Sequence, residues 1–271
     1  MISLPKDFEN FVAGLVETTK NIEGFLSEKE MKFLALLAAC PTAKGEILEI
    51  GSFKGKSTII LAKGASLTAR TKVVAVDPLT SPAATDPDLK GEESCLKDFQ
   101  ANLRNTDVEK NVEFHCKYSW ELAEVWNRDI RLLWIDGDHT YAGAKSDFDM
   151  FSRFLSNGAI IAMHDVFHVS YGFAGPIRIF MEDILLSKHF GPAGMCGSIG
   201  WSQYFKDSNI GLKFRHEKIK LYRKLSRLLP YSVFSKDIKG FTKIKYKLLR
   251  SRIPHRDVNP SKWLREVTFI E

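Results

Sequence analysis

Three short segments of this chain carry side chains whose types and spacing are suited to ligand chemistry. In the first, an apolar run that ends at Ile50 breaks into a glycine-marked turn and continues as an apolar helix, which predicts strand, loop and helix start. Glycines let a ligand approach the backbone, and the free N–H groups of a helix start suit electron-rich ligand groups. We therefore predict a binding loop for a nucleotide-like cofactor, formed by Glu49, Gly51, Ser52 and Gly55.

The spacing within this loop separates three cofactor classes. A phosphate-binding P-loop needs four residues between its first glycine and the Gly-Lys-Ser/Thr group, whereas only three lie between Gly51 and Gly55 here, which disfavours a P-loop without excluding it. A dinucleotide fingerprint needs a second glycine where Phe53 and its neighbours would crowd the pyrophosphate. An adenosine cofactor that carries no phosphate is the remaining option.

In the second segment, the four apolar residues 73–76 stand between Lys72 and Asp77, and Pro78 follows directly. A carboxylate at the carboxyl end of a strand can accept two hydrogen bonds from the hydroxyls of a ribose. We predict that Asp77 binds the cofactor ribose. The alternative is a solvated aspartate that caps the turn before the proline.

The third group of side chains follows two buried apolar runs, which end at Asp136 and at His164. Neighbouring strand ends of this kind line the ligand crevice of an open α/β sheet. Asp136, His164 and Asp165 offer two carboxylates and an imidazole, a donor set for Mg²⁺ or Mn²⁺ that would also accept Fe²⁺ or Zn²⁺. Alternatively, Asp136 caps the next helix and His164 hydrogen-bonds a neighbouring strand end.

Strand-like and helix-like segments alternate along the chain, which predicts an α/β fold with a mainly parallel, Rossmann-like sheet and helices on both faces. Strands are predicted at 45–50, 72–77, 112–116, 131–136 and 159–164, with a late strand at 197–205. Helices are predicted at 57–64, 93–105, 119–125, 142–155 and 176–186. We predict a helical cap at 1–44, with a capping box from Ser27 to Glu30, a cofactor-binding domain at 45–210 and a basic extension at 211–271.

The net charge of +6 is unevenly distributed, because residues 211–271 contain 17 Lys or Arg against 5 Asp or Glu. Two leucine-rich amphipathic segments in this extension carry the basic residues, one near Leu221 and one near Leu248. Such segments can lie on an anionic membrane surface, or pack on the core or on a second subunit of a homo-oligomer. No nucleic-acid reader motif accompanies the charge, so a nucleic-acid partner ranks last.

The hydrophobic fraction of 44% permits a substantial core, but no apolar run reaches 18 residues and the first residues do not resemble a signal peptide. We therefore expect a cytoplasmic protein, with membrane association through the basic extension as an open alternative.

With Glu49, Gly51 and Gly55 followed by Asp77, the sequence resembles the class I S-adenosylmethionine-dependent methyltransferases over roughly residues 45–205. It is most similar to the metal-dependent O-methyltransferases, namely the catechol type and, more closely, the macrocin type that methylates sugar hydroxyls. The resemblance implies S-adenosylmethionine as cofactor, a divalent metal, and a small-molecule or glycan hydroxyl as acceptor. It also implies that the late strand at 197–205 pairs antiparallel.

The resemblance also implies roles for individual residues. Asp136 and His139 match the spacing of the family's metal-binding aspartate and its proposed catalytic base, and Asp136 is also assigned to the cofactor site. His164-Asp165 stands where the family has an acidic pair, so the histidine is a departure. Ser119 and Trp120 fall where the family contacts adenine.

Other functions are compatible with the same residues. Some relatives resemble iron-dependent cephalosporin hydroxylases, and a P-loop-like NTPase would use the strand that ends at Asp136 to hold magnesium. A third alternative is a binding module that uses the basic extension. Residues 79–93 either fold over the site as a lid or form a plain surface loop. Five aromatic residues either line an acceptor pocket or, as is more common, pack in the core: Tyr141, Phe167, His168, Tyr171 and Trp201.

Overall fold

The fold is known from a computed structural model, which describes residues 4–68, 71–80, 90–167, 174–231 and 238–267. Its centre is a seven-stranded sheet with the strand order β3-β2-β1-β4-β5-β7-β6. The strands are β1 (Glu46–Ile50), β2 (Val73–Val76), β3 (Val112–His115), β4 (Ile130–Ile135), β5 (Leu155–Met163), β6 (Phe190–Cys196) and β7 (Ile199–Tyr204). The prediction of a Rossmann-like, mainly parallel α/β sheet is confirmed.

The first five strands are parallel. Most residues of β1, β2, β4 and β5 are apolar and buried, as expected where helices cover both faces of a sheet, whereas the four residues of β3 are only half-buried. Ile50 of β1 is in register with Val76 of β2 and with Ile135 of β4, and Ile135 is in register with Met163 of β5. The carboxyl ends of these four strands therefore lie side by side. The chemistry-bearing segments that follow them meet at one edge of the sheet.

β7 runs antiparallel to β5, as predicted, but its partner β6 was missed by the sequence analysis. The segment Phe190–Cys196 contains two glycines and Pro192, a composition that argues against a strand. It pairs only with β7, at the outer edge of the sheet, where a proline can be tolerated.

Helices flank the sheet along its length. They are α1 (Phe8–Thr19), α2 (Glu28–Ala39), α3 (Lys56–Ser66), α4 (Leu96–Asn105), α5 (Ser119–Ala123), α6 (Tyr141–Ser152), α7 (Gly175–Ile179, continued as a π-helical turn at Phe180–Leu185), α8 (Ser208–Leu212), α9 (Arg215–Leu225), α10 (Gly240–Ser251) and α11 (Pro260–Glu266). Short 3₁₀ turns lie at Glu109–Asn111 and Leu229–Tyr231.

The capping box at the start of α2 is confirmed. The side chain of Ser27 accepts from the backbone N–H of Glu30, and the side chain of Glu30 accepts from the backbone N–H of Ser27. Most of α2 is buried against α3, where Gly64 lies close to the backbone of Ala35. Helix α2 is thus part of the core rather than a detached cover. The division of the chain at residues 44 and 210 stays a prediction.

The two basic amphipathic segments differ in how they pack. Leu221 and Leu225 of α9 are buried in the core, together with Leu228 beyond its end, which fits the packing alternative. Helix α10 has no buried residue. Across the described ranges of the chain, the structure contains no helix that is long and apolar enough to span a bilayer.

Candidate active site

A cavity of about 1100 Å³ follows the carboxyl edge of the parallel strands. Its lining includes the loop after β1, the end of β2, the segments after β4 and β5, and the turn before α2. This cavity therefore brings together most of the predicted site residues: Gly51, Ser52, Asp77, Ser119, Trp120, Asp136, His139, His164 and Asp165.

The backbone of the β1–α3 loop requires its two glycines. Gly51 has a φ of 86°, and a Cβ placed there would lie 2.2 Å from the carbonyl oxygen of Asp136. Gly55, with a φ of 87°, stands at the N-cap of α3, where a Cβ would lie 3.1 Å from the ring of Phe99. Gly51 is thus needed for the close approach of the β1 and β4 ends, in addition to any role beside a ligand.

We expect Gly51→Ala to lower the free energy of unfolding by more than about 2 kcal/mol, because the new methyl group would clash with rigid backbone at a strained φ. Gly14→Ala is the matched control, since Gly14 lies in α1 with nothing near the position of an added Cβ. That variant should gain up to about 1 kcal/mol of stability. Urea denaturation measures both, and equal midpoints for Gly51→Ala and wild type would contradict the steric argument.

Asp77 holds the loop by accepting three backbone hydrogen bonds. Its Oδ2 accepts from the N–H groups of Ser52 at 2.7 Å and Phe53 at 3.0 Å, and its Oδ1 accepts from Leu79 at 2.7 Å. Phe53 and Leu79 both have positive φ angles, of 47° and 52°. The carboxylate therefore fixes two strained turns on the cavity wall. The bond to Leu79 matches the turn-capping alternative, and ribose binding stays a prediction.

Glu49 lies beneath the loop and is not among the described residues that line the cavity. Its side chain is fully buried, and Oε2 accepts hydrogen bonds from the hydroxyls of Ser52 at 3.1 Å and Thr58 at 2.5 Å. Burial raises the pKa of Glu49 to about 7. In this structure the predicted cofactor-binding acid supports the loop from behind.

The raised pKa of Glu49 predicts a pH-dependent stability. The folded state holds the Glu49 proton more tightly than the unfolded state does, so this contribution is complete below the ordinary pKa of 4.5 and is lost as the pH rises through about 7. Glu49→Gln, which mimics the protonated acid, should therefore be more stable than wild type at pH 8, by about 3 kcal/mol.

Urea unfolding between pH 5 and pH 8 tests this expectation, with Glu124→Gln as the control because Glu124 is exposed. The difference between Glu49→Gln and wild type should grow across the range, whereas the control should follow wild type. A constant difference would mean that Glu49 does not titrate there.

Two carboxylates and two imidazoles meet at the ends of β4 and β5. His139 Nε2 lies 3.7 Å from Asp136 Oδ1 and 3.4 Å from Asp165 Oδ2. His164 Nδ1 lies 3.2 Å and 3.5 Å from the same two oxygens. Asp136, His139 and Asp165 each offer a donor atom within 4.8 Å of the others. A cation site can therefore use His139, which the sequence analysis assigned as the base, as well as the predicted His164.

The charges in this cluster support one another. Burial favours the neutral form of each group, but the charge of His164 and the nearby imidazole of His139 outweigh it at Asp136 and lower the pKa of that carboxyl. In the same way, the partner carboxylates raise the pKa of His139 and hold the pKa of His164 well above its ordinary value, against the effect of burial.

Glu30 is a site residue that the sequence analysis missed, since it was interpreted only as part of a capping box. Its Oε1 accepts hydrogen bonds from the backbone N–H of Ser198 at 2.5 Å and its hydroxyl at 2.8 Å, and lies 3.9 Å from His164 Nε2. Burial acts to raise the pKa of Glu30, but hydrogen bonds from Ser27 and Ser198 outweigh it and hold the pKa low. Glu30 thus ties α2 to the β6–β7 turn and to the cluster.

Ser119 and Trp120, predicted to contact adenine, lie on the cavity wall at the start of α5. The Ser119 hydroxyl donates to Asp147 at 2.5 Å, and burial raises the pKa of Asp147 to about 6. The rings of Tyr118 and Trp120 stack 6.0 Å apart, and both are more than half exposed. An accessible aromatic surface of this kind suits stacking of a planar nucleobase such as adenine.

The aromatic candidates for an acceptor pocket divide between the pocket and the core alternatives. Phe167 lines the cavity, but Trp201 packs in the core against Phe33 and Trp263, and Tyr141 lies under Arg178 at 4.0 Å. His168 and Tyr171 lie outside the described residues, as does most of the segment 79–93. Ser57 and Arg250 were missed, and both line the cavity.

Residues 48–166 match the sequence model of a family described as "Methyltransferase domain". This segment is a methyltransferase domain. It spans the loop, the ribose-binding candidate and the carboxylate–imidazole cluster, as the resemblance to class I methyltransferases implied. Neither the hydroxylase nor the NTPase alternative finds support in this match.

Solved structures share the fold of this methyltransferase domain. An O-methyltransferase from Bacillus cereus, in complex with SAH, is 20% identical with a TM-score of 0.54, over 75% of this chain and 93% of that one. The O-methyltransferase TomG from Streptomyces achromogenes, in complex with SAM, is 17% identical with a TM-score of 0.52, over 76% and 92%. A putative O-methyltransferase from Klebsiella pneumoniae is 18% identical with a TM-score of 0.55, over 72% and 90%.

Among curated proteins, the uncharacterized protein R132 of Acanthamoeba polyphaga mimivirus is 24% identical over 128 residues. The match covers 44% of this chain and half of that protein's length.

Proposed function

We propose that the protein transfers a methyl group from S-adenosylmethionine to a hydroxyl oxygen of a small-molecule or glycan acceptor. The observation that carries this proposal is one continuous cavity, which runs from the Gly51 loop and Asp77 to His139 and Asp165. A cofactor held at the first end would have its reactive group near the second. The complexes of the Bacillus cereus enzyme with SAH and of TomG with SAM support the choice of cofactor.

The cofactor side of the cavity offers complementary groups for each part of the molecule. Asp77 would accept from the ribose hydroxyls, and the exposed ring of Trp120 would stack on adenine. The buried hydroxyl of Ser57, at the start of α3, would face the amino-acid end. The backbone of Gly51 and Ser52 would lie against the cofactor, with the side chain of Glu49 beneath this loop.

S-adenosylmethionine supplies an electrophilic methyl group on a sulfonium, so the protein has to align an oxygen nucleophile and remove its proton. His139 lies on the cavity wall with its side chain 23% exposed, while its Nε2 is buried between the two carboxylates. We assign the proton transfer to His139, with Asp136 and Asp165 holding the imidazole in place.

The donor set at this end fits a divalent cation, because two carboxylate oxygens and an imidazole nitrogen lie within 4.8 Å of one another. Asp136 and Asp165 would hold it, with His164 or His139 as the third ligand. Such a cation would lower the pKa of the acceptor hydroxyl. If His139 coordinates through Nε2, that nitrogen has no lone pair left for a proton, so the two roles exclude each other.

A thermal-shift experiment tests the cofactor proposal. S-adenosylhomocysteine at 100 times its Kd should stabilise the protein by about 2.7 kcal/mol, a clear rise in Tm, whereas ATP and NAD should leave Tm unchanged. Adding Mn²⁺ should raise Tm further, and EDTA should reverse that second rise, if the cation site forms. A shift with ATP alone would reject the assignment of the loop to a phosphate-free cofactor.

A further inference from the structure

The surface of α10 is the feature of the basic extension that neither the fold nor the cavity explains. Among the ten large hydrophobic residues that are exposed in the described part of the chain, three lie on this one helix: Phe241, Ile244 and Leu248, with 80%, 64% and 54% of their surface accessible. We call these three side chains the α10 apolar face. Three others line the cavity, namely Phe25, Tyr118 and Trp120.

Helical geometry places the α10 apolar face on one stripe. At 100° per residue, Phe241, Ile244 and Leu248 fall within an arc of about 60°. Lys245 borders this arc on one side and Lys247 on the other, and all the lysines of α10 are exposed. Residues 238–256 contain seven Lys or Arg and no Asp or Glu. The stripe is therefore apolar in the centre and purely basic at its borders.

The opposite side of α10 is attached to the rest of the protein. Tyr246 donates its hydroxyl hydrogen to the backbone oxygen of Phe167 at 3.1 Å, and Ile253, just beyond the helix, is buried in the core. The guanidinium of Arg250 lies 5.2 Å from the centre of the Phe167 ring, and both residues line the cavity. The helix therefore has a fixed inner side, at the cavity rim, and a free outer side.

We propose that the α10 apolar face docks on an anionic lipid bilayer. An apolar stripe bordered by lysines matches the boundary between acyl chains and anionic headgroups, because the apolar side chains can insert while the ammonium groups reach lipid phosphates. A second copy of this chain fits less well, since a two-fold contact would bring two basic borders together. α9 does not share this role, because its leucines are buried in the core.

Docking through this face would hold the Phe167 and Arg250 side of the cavity about 10 Å from the headgroups, which is one helix diameter. The acceptor would then be a hydroxyl presented at the lipid surface, a step that rests on the proposed methyl transfer. The docking itself needs only α10.

Flotation of the full-length protein with vesicles tests the proposal, using phosphatidylcholine alone and phosphatidylcholine with about 30% phosphatidylglycerol. Wild type should float only with the anionic vesicles. F241S/I244S/L248S should lower the partition coefficient at least about tenfold, and K243Q/K245Q/K247Q about 100-fold. Control variants change exposed residues of the same kinds elsewhere: V125S/L186S/L212S and K97Q/K110Q/K206Q.

The controls should float as wild type does, and every variant should keep its affinity for S-adenosylhomocysteine in calorimetry. Wild type that stays unbound, or an F241S/I244S/L248S variant that floats equally well, would overturn the proposal. So would a dimer, seen by light scattering, that this variant converts to a monomer. Flotation as expected without any S-adenosylhomocysteine binding would reject the cofactor assignment and still support docking.

Discussion

His139→Ala should lower kcat for methyl transfer by about 10²- to 10⁴-fold and leave the Kd for S-adenosylhomocysteine unchanged. The reason is that a positioned base contributes a factor of this size to proton removal, while the proposed cofactor site, at the Gly51 loop and Asp77, lies at the other end of the cavity. Transfer of a labelled methyl group to a panel of catechols and sugars measures the first quantity, and calorimetry the second. His216→Ala, on the exposed side of α9, is the control and should behave as wild type.

The same variant separates the two roles open to His139. If His139 is the base, the variant loses turnover but still binds Mn²⁺ in calorimetry through Asp136 and Asp165. If His139 is a ligand, Mn²⁺ affinity falls together with turnover, whereas His164→Ala leaves that affinity largely intact. Full turnover by His139→Ala would rule out both roles.

Asp77→Ala should weaken binding of S-adenosylhomocysteine at least tenfold and also lower the free energy of unfolding by about 2 to 4 kcal/mol. The affinity falls because the ribose loses a charged acceptor, and the stability falls because three backbone N–H groups lose theirs. Calorimetry and urea denaturation measure the two effects. Asp149→Ala is the matched control, since the Asp149 side chain is 56% exposed and pairs with Lys145.

Asp77→Asn adds a second comparison, because the amide keeps one acceptor oxygen and loses the charge. It should recover part of the stability while its affinity stays low if the carboxylate binds ribose. Unchanged affinity in both variants, despite the lost stability, would limit Asp77 to its structural role in the loop.

The sequence predicted the parallel part of the sheet well because those strands are locally encoded. Continuous apolar runs bounded by turns specify β1, β2, β4 and β5, and parallel pairing then places their carboxyl ends at one edge. Side chains directly after those ends, such as Asp77, Asp136 and Asp165, were found for the same reason. The edge strand β6 was missed because its two glycines and its proline disfavour a strand locally, and its extended conformation depends on pairing with β7.

Contacts between distant elements were beyond the reach of sequence patterns. Glu30 has the sequence signature of a helix cap, and only the packing of α2 beside the β6–β7 turn brings its carboxylate to Ser198 and His164. Likewise, the local patterns of α9 and α10 are alike, with leucines on one side and lysines around them. Packing buries the leucines of α9 and leaves Phe241 and Leu248 of α10 in solvent.

The order of residues by itself determined the fold class, the glycine loop and the acids at the strand ends, because each depends on neighbours within a few positions along the chain. Tertiary structure alone decided which oxygens and nitrogens meet. It placed His139 against both carboxylates, turned the oxygens of Asp77 toward the loop backbone, and set Glu49 beneath it. These contacts join groups on separate elements, whose distances depend on how helices and strands pack in three dimensions.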